Sequence, residues 1–144
     1  MGGAGDDTID GGKGSNVLNG DAGNDLLTGN TGADTLNGGA DADVYYFSSS
    51  DTGLGTAADH IVGFSRTQGD KIEFNMSGIS ASGFVGTGAF ASGGVKEFGY
   101  ELVTDGAGVK STVIHIDNDN NGIADRDIVL DAIHIALQAS DFLF

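Results

Sequence analysis

Aspartate recurs at a fixed place in the first third of this 144-residue chain. Residues 2–46 divide into five nonapeptide units that read GGAGDDTID, GGKGSNVLN, GDAGNDLLT, GNTGADTLN and GGADADVYY. The sixth place is Asp in four units, and Asn16 takes that place in the second. Carboxylates held in tight glycine-rich turns, beside backbone carbonyls, form the all-oxygen environment that calcium prefers. The spacing therefore predicts a series of calcium sites.

The glycines of these units indicate how the turns are made. Glycine at the first, second and fourth places permits a positive φ there. Asp41 occupies the fourth place of the last unit, and aspartate tolerates such a backbone better than most residues. The loop carbonyls would turn inward and face the carboxylate. The predicted ligands are the residues at the second, fourth and sixth places of every unit: Gly3, Gly5, Asp7, Gly12, Gly14, Asn16, Asp21, Gly23, Asp25, Asn30, Gly32, Asp34, Gly39, Asp41 and Asp43.

Acidic residues that follow the units are weaker candidates. Asp59 and Asp70 each precede an apolar segment, and Asp51 lies nearby. Aspartate is also common before strands for local hydrogen bonding alone. Of these three, only Asp59 is included among the predicted metal ligands.

The run from Asp117 to Asp125 resembles the first half of an EF-hand loop. Its oxygen-bearing side chains alternate, and Gly122 is at the sixth place, but Ile128 stands where that loop needs glutamate. A metal site here would use Asp117, Asp119, Asn121 and Asp125. The sequence favours the alternative, a hairpin turn rich in Asn, Asp and Gly.

Catalytic motifs are missing from the sequence. The three histidines, His60, His115 and His134, form no HExxH pair, and the chain has no cysteine for a zinc cluster. The sequence has neither a Gly-x-Ser-x-Gly nucleophile elbow nor a phosphate loop. We therefore expect the chain not to be an enzyme by itself.

The elements that would position these residues are short strands. Each unit offers one apolar side chain at its eighth place: Ile9, Leu18, Leu27, Leu36 and Tyr45. Such a thin core predicts that metal binding contributes much of the folding free energy. After Phe47, alternating segments predict further strands at 60–64, 71–74, 97–103, 112–116, 127–130 and 141–144, besides 44–47.

The units resemble the RTX nonapeptides of secreted bacterial proteins, in which two units form one coil of a parallel β-roll. The resemblance implies that units one, three and five line one side of the roll, and units two and four the other. Asp25 would then lie between two ions and bridge toward Asp7 and Asp43, whereas Asn16 would weaken the site that it shares with Asp34. Three to five Ca²⁺ ions are expected.

The rest of the chain resembles the C-terminal domain of serralysin-type metalloproteases. The pieces that carry the resemblance are GGADADVYYFSSSDTGLGTAADHIVGF, GDKIEF, FVGTGAF, DNDNNGIAD and LQASDFLF. Gly63 departs from that family, which usually has an acidic residue before the Phe. The resemblance implies an all-β fold in which a parallel β-roll at 2–47 is followed by an antiparallel, β-sandwich-like part at 48–144, as one continuous domain. It also implies that DFLF serves as a type I secretion signal.

The composition limits the kinds of partner that the chain could bind. A net charge of −15 argues against nucleic acid and anionic membranes. No apolar run reaches membrane-spanning length and no N-terminal signal peptide is evident, so we expect no membrane insertion. We expect the chain to be the C-terminal part of a longer protein, with an N-terminal passenger domain.

The sequence thus favours a calcium-binding module for folding and type I secretion of a larger extracellular bacterial protein. By resemblance, the parent would be a serralysin-like zinc metalloprotease. The alternative is a calcium-dependent glycan-binding or adhesion module, although the chain has no tryptophan and only six lysines and arginines.

Overall fold

The computed structural model describes residues 1–49, 51, 55–88 and 96–144. Short strands make up nearly all of its regular structure. The first eight strands are β1 (Gly3–Ala4), β2 (Thr8–Asp10), β3 (Val17–Ala22), β4 (Leu26–Thr28), β5 (Thr35–Ala40), β6 (Val44–Ser48), β7 (Asp59–Val62) and β8 (Lys71–Asn75). The remaining five are β9 (Phe84–Gly86), β10 (Glu97–Thr104), β11 (Lys110–Asp117), β12 (Arg126–Asp131) and β13 (Phe142–Leu143). Single 3₁₀ turns lie at Gly55–Ala57, Ala81–Gly83 and Ala139–Asp141.

The nonapeptide units wind into a parallel β-roll. Strands from units one, three and five (β2, β4 and β6) pair in one sheet, with Leu27 between Ile9 and Tyr45 in register. Strands from units two and four (β3 and β5) pair in the opposite sheet, where Leu18 lies beside Leu36. One coil therefore takes two units, as the resemblance implies.

Both sheets continue beyond the units. The five-stranded sheet has the order β13-β8-β6-β4-β2, and all of its strands are parallel. The eight-stranded sheet has the order β1-β3-β5-β7-β12-β11-β10-β9, and its β10, β11 and β12 form an antiparallel meander. The predicted fold class is therefore confirmed. The division into 2–47 and 48–144 stays a prediction, and both sheets contain strands from each segment.

The predicted strands overlap observed ones, but the strand predicted at 60–64 ends at Val62, and β9 was not predicted. The segment 141–144 begins as a 3₁₀ turn and is a strand only at Phe142–Leu143. The turn forms because Asp141 and Gln138 cap it reciprocally. Among the described residues, no helix is long and apolar enough to cross a membrane.

The core lies between the two sheets and thickens toward the second half of the chain. In the roll it consists of single stacked side chains, such as the fully buried Leu27 and Leu36. Beyond the roll it becomes an aromatic cluster, in which Phe98 lies edge-on to Phe142, with ring centroids 4.8 Å apart. The units therefore have little apolar burial of their own.

Candidate metal centre

The sixth-place residues form two rows of hydrogen bonds that run along the roll. In the first row, the backbone N–H of Asp7 donates to Oδ1 of Asp25 (2.8 Å), and that of Asp25 donates to Oδ1 of Asp43 (3.0 Å). In the second row, the N–H of Asn16 donates to Oδ1 of Asp34 (2.7 Å). Each carboxylate thereby caps the loop one coil earlier, and its orientation is fixed.

The rows extend past the nonapeptides. The N–H of Asp34 donates to Oδ1 of Asp59 (2.8 Å), and the N–H of Asp43 donates to Oδ1 of Asp70 (3.1 Å). Asp59, a predicted ligand, thus lies in the second row. Asp70 ends the first row although it was not among the predicted ligands. The sequence feature that could have identified Asp70 is the Asp-x-apolar pattern that it forms with Ile72, which repeats the sixth and eighth places of a unit.

The second oxygen of most of these carboxylates is buried and has no hydrogen-bond partner. This holds for Oδ2 of five aspartates: Asp7, Asp25, Asp34, Asp43 and Asp59. Leaving a buried carboxylate oxygen without a donor is costly, so such atoms call for an explanation. A hard cation held by oxygen ligands satisfies them, and calcium fits this donor set.

First-place glycines form a cradle under these oxygens. A Cβ atom placed on Gly2, Gly20, Gly29 or Gly38 would overlap Oδ2 of the same unit's aspartate. The prediction that first-place glycines adopt positive φ is wrong, because within the five units positive φ occurs only at the second and fourth places. Glycine is needed at the first place for space. At the fourth place, Asp41 does adopt a left-handed φ of 78°.

Burial and the charges of neighbouring carboxylates raise the pKa values of Asp43 and Asp59. Burial, with the nearby charges of Asp70 and Asp25, raises the pKa of Asp43 to about 6. Burial, with the charges of Asp34 and Asp51, raises the pKa of Asp59 to about 7. A bound divalent cation would reverse this effect, because it stabilises the ionised form.

Comparison with known sequences supports the same interpretation. The sequence profile of the RTX calcium-binding nonapeptide repeat (4 copies) matches residues 1–27 and 19–52. The five units at 2–46 lie within these ranges and are RTX calcium-binding nonapeptide repeats. No curated protein sequence matches the chain.

Two solved structures are similar to the whole chain and not only to its RTX repeats. The solution structure of the AlgE6R3 subunit from the Azotobacter vinelandii mannuronan C5-epimerase is 29% identical, with a TM-score of 0.60. The match covers 100% of this chain and 81% of that one. The AlgE6R2 subunit of the same enzyme is also 29% identical, with a TM-score of 0.59, over 99% of this chain and 90% of that one. Like those subunits, this chain is a β-roll module.

The second predicted site lies outside the RTX repeats, in the connection between β11 and β12. The structure brings carboxylate oxygens of Asp117, Asp119 and Asp125 within 4.8 Å of one another. Local backbone N–H groups already donate to all three carboxylates: Gly122 to Asp117 Oδ2 and Asn118 to Asp125 Oδ2, both at 2.7 Å, and Asn121 to Asp119 Oδ1 at 3.2 Å. These are the hydrogen bonds of the hairpin alternative. Metal binding at Asp117, Asp119, Asn121 and Asp125 stays a prediction.

Two of the three histidines lie in strands. His60 in β7 contacts Asp131, and His115 in β11 is hydrogen-bonded through Nδ1 to Asp127 (2.7 Å). The hydrogen bond with Asp127 raises the pKa of His115. Within the described part of the chain, no histidine belongs to a group of three potential metal ligands.

Proposed function

We propose that this chain is a calcium-dependent folding module within a larger extracellular protein. The observation that carries the proposal is the set of five buried Oδ2 atoms without partners. They lie in RTX repeats, apart from Asp59, which continues the second row. The predicted ligands at the second, fourth and sixth places of the units would supply carbonyl and carboxylate oxygens. Ion binding then contributes directly to the stability of a roll whose apolar core is thin.

Circular dichroism with chelator and with calcium tests this proposal. At pH 8 we expect strand content and a cooperative melting transition in millimolar calcium, and loss of both in chelator, because the ionised carboxylates repel one another without the ion. Magnesium serves as the control, since its preference for octahedral coordination and bound water disfavours an all-protein cage. Equal melting temperatures in chelator and in calcium would contradict the proposal.

We further propose that the chain directs export through a type I transporter. A chain that is unfolded where calcium is scarce can pass through a channel and fold where calcium is plentiful. The sequence Asp141-Phe142-Leu143-Phe144 resembles the secretion signals of such proteins. In the fold, Phe142 is buried, while Leu143 and Phe144 are 39% and 49% exposed. We therefore propose that this segment is recognised before folding and packs as β13 afterwards.

A fused reporter tests export. We expect that deleting Phe142–Phe144 abolishes secretion of the fusion through a type I transporter but leaves calcium-induced folding partly intact. A matched control is the deletion of an equally long exposed turn, Asp105–Ala107, which lies between β10 and β11. Normal secretion of the fusion without Phe142–Phe144 would contradict a signalling role.

The passenger is proposed to be an enzyme. The serralysin resemblance favours a zinc endopeptidase, whereas the likeness to subunits of a mannuronan C5-epimerase favours an enzyme that acts on a polysaccharide. The sequence of the parent protein can distinguish these two passengers, because a zinc endopeptidase of this kind needs an HExxHxxGxxH motif. If the parent protein cleaves casein and a zinc chelator abolishes this activity, the passenger is a zinc endopeptidase and not a polysaccharide-modifying enzyme.

Glycan binding is the second candidate function. One observation favours it: a groove of about 450 Å³ whose lining includes Gly99, Glu101 and His115. The net charge of −15 disfavours a polyanionic ligand, so the glycan would be neutral. A neutral glycan array in calcium tests this, with Glu101→Ala as the groove variant and Glu73→Ala as a control outside the groove. Absence of any signal with the folded protein would exclude it.

A further inference from the structure

Asn16 is the single sixth-place residue of the RTX repeats that is not aspartate. Its side-chain Nδ2 donates to the carbonyl oxygen of Gly14 (2.8 Å) and lies 3.5 Å from that of Lys13. Both neighbours are acceptors. The amide nitrogen faces both of them, and its two hydrogens match two acceptors.

This nitrogen takes the place of the partnerless oxygen of the other repeats. In the third repeat, Oδ2 of Asp25 lies against the first-place Gly20, and Asp34 is related to Gly29 in the same way. In the second repeat, Nδ2 of Asn16 lies near the first-place Gly11. The atom that would be a metal ligand elsewhere is a donor here, and an amide NH₂ group cannot ligate a cation. This contact argues against Asn16 as a ligand on this side.

The C-terminal end of the first row has a similar arrangement. Asp70 ends the first row, and its Oδ2 accepts the backbone N–H of Ser65 (2.8 Å). Unlike the five partnerless oxygens, this atom therefore has a protein donor. In each row, one loop therefore has an N–H group where the other loops would have a cation.

We propose that the Asn16 amide replaces a calcium ion, so that the loop of the second repeat closes without metal. The inference rests on the proposed calcium function and deepens it. The carbonyl of Gly14, which the repeat pattern would present to an ion, is used by the amide. The second row would then bind its ions only through Asp34 and Asp59, and the chain would bind fewer ions than five repeats allow.

Counting bound ions tests the inference. Native mass spectrometry and calorimetry at saturating calcium should show one more ion per chain for Asn16→Asp than for the unsubstituted protein. Asp34→Asn is the matched control, because it makes the reverse change in the same row and should lower the count. Equal, non-zero counts for Asn16→Asp and the unsubstituted chain would overturn this inference alone. Absence of calcium binding by both would overturn the proposed function with it.

Asn16→Ala removes the amide without adding a carboxylate. We expect the same ion count as in the unsubstituted chain, together with a lower melting temperature in calcium, because the Gly14 carbonyl loses its donor. Loss of an ion in Asn16→Ala would show that the Asn16 side chain is itself a ligand and would overturn the inference. This variant also decides the matter if Asn16→Asp fails to fold.

Discussion

Three sixth-place aspartates, Asp25, Asp34 and Asp43, divide their two oxygens between two tasks. In Asp25, Oδ1 accepts the N–H of Asp7, while Oδ2 is buried without a partner. The first oxygen fixes the side chain through the protein, and the second is left for an ion. A short carboxylate is required, because it must reach a neighbouring backbone and remain against the first-place glycine of its own loop.

The raised pKa values of Asp43 (about 6) and Asp59 (about 7) make the calcium effect depend on pH. Without metal, these groups bind more protons in the folded state than in the unfolded state. The stability of the metal-free protein should therefore fall as pH rises from about 4 to about 7. Calcium binds the ionised form, so the gain in melting temperature on adding calcium should be small at pH 5 and large at pH 8. Thermal scans in chelator and in calcium across this range measure it, and a pH-independent gain would contradict it.

The sequence predicted the carboxylates of the repeats better than it predicted how the rows continue. Within the repeats, hydrogen-bonded partners are 18 residues apart, so the pattern alone identifies them. Asp59 and Asp70 lie 25 and 27 residues after their partners, because intervening loops break the period. Only the Asp-x-apolar pattern remains there, and many aspartates before strands share it for local reasons.

At the level of elements, close approach between coils determines which glycines are essential. A Cβ on Gly20 would overlap both Oδ2 of Asp25 and the carbonyl oxygen of Gly38 in the next coil. The sequence indicated glycine as a source of backbone freedom, but it could not show this contact. The contact arises only when β3 and β5 stack in register.

Gly20→Ala should therefore destabilise the calcium-bound roll by about 2 to 3 kcal/mol, the upper part of the range for overpacking. Gly106→Ala is the control, because a Cβ there would meet nothing within 4 Å and its φ is not positive. Urea denaturation in saturating calcium compares the two variants. Equal free energies of unfolding would show that the roll relaxes around the added methyl group.

At the scale of the whole molecule, one ion pair joins the end of the five-stranded sheet to the loop before β8. Arg66 donates through Nε to Oδ1 of Asp141 (2.6 Å) and through Nη2 to its Oδ2 (2.5 Å). The carboxylate is fully buried, while the Arg66 side chain is 36% exposed. Although burial favours the protonated form, the hydrogen bonds from Arg66 and Gln138 hold the pKa of Asp141 below its usual value.

Arg66→Met should cost about 2 to 3 kcal/mol at pH 7, because it leaves a buried carboxylate without its charged partner. The exposure of the arginine places the loss below that of a fully buried pair. Since the pKa of Asp141 is lowered, the loss should be present above about pH 4 and disappear as pH falls further. Arg126→Met removes the same charge from a side chain that lies 3.9 Å from the sulfur of Met76. Equal losses in the two variants, measured by urea denaturation, would contradict a specific role for Arg66.

The order of strands has a consequence for the rate of folding. Within the roll every strand pairs with one that lies two units away in sequence, so coils can add one after another from either end. The pairing of β12 with β7 is different, because Ile128 lies opposite Asp59 and nearly half of the chain separates them. Such a contact requires a long loop to close first, which makes it slow compared with local propagation. After a calcium jump, we expect the roll to form in a fast phase and the β10–β12 meander to join it in a slower one.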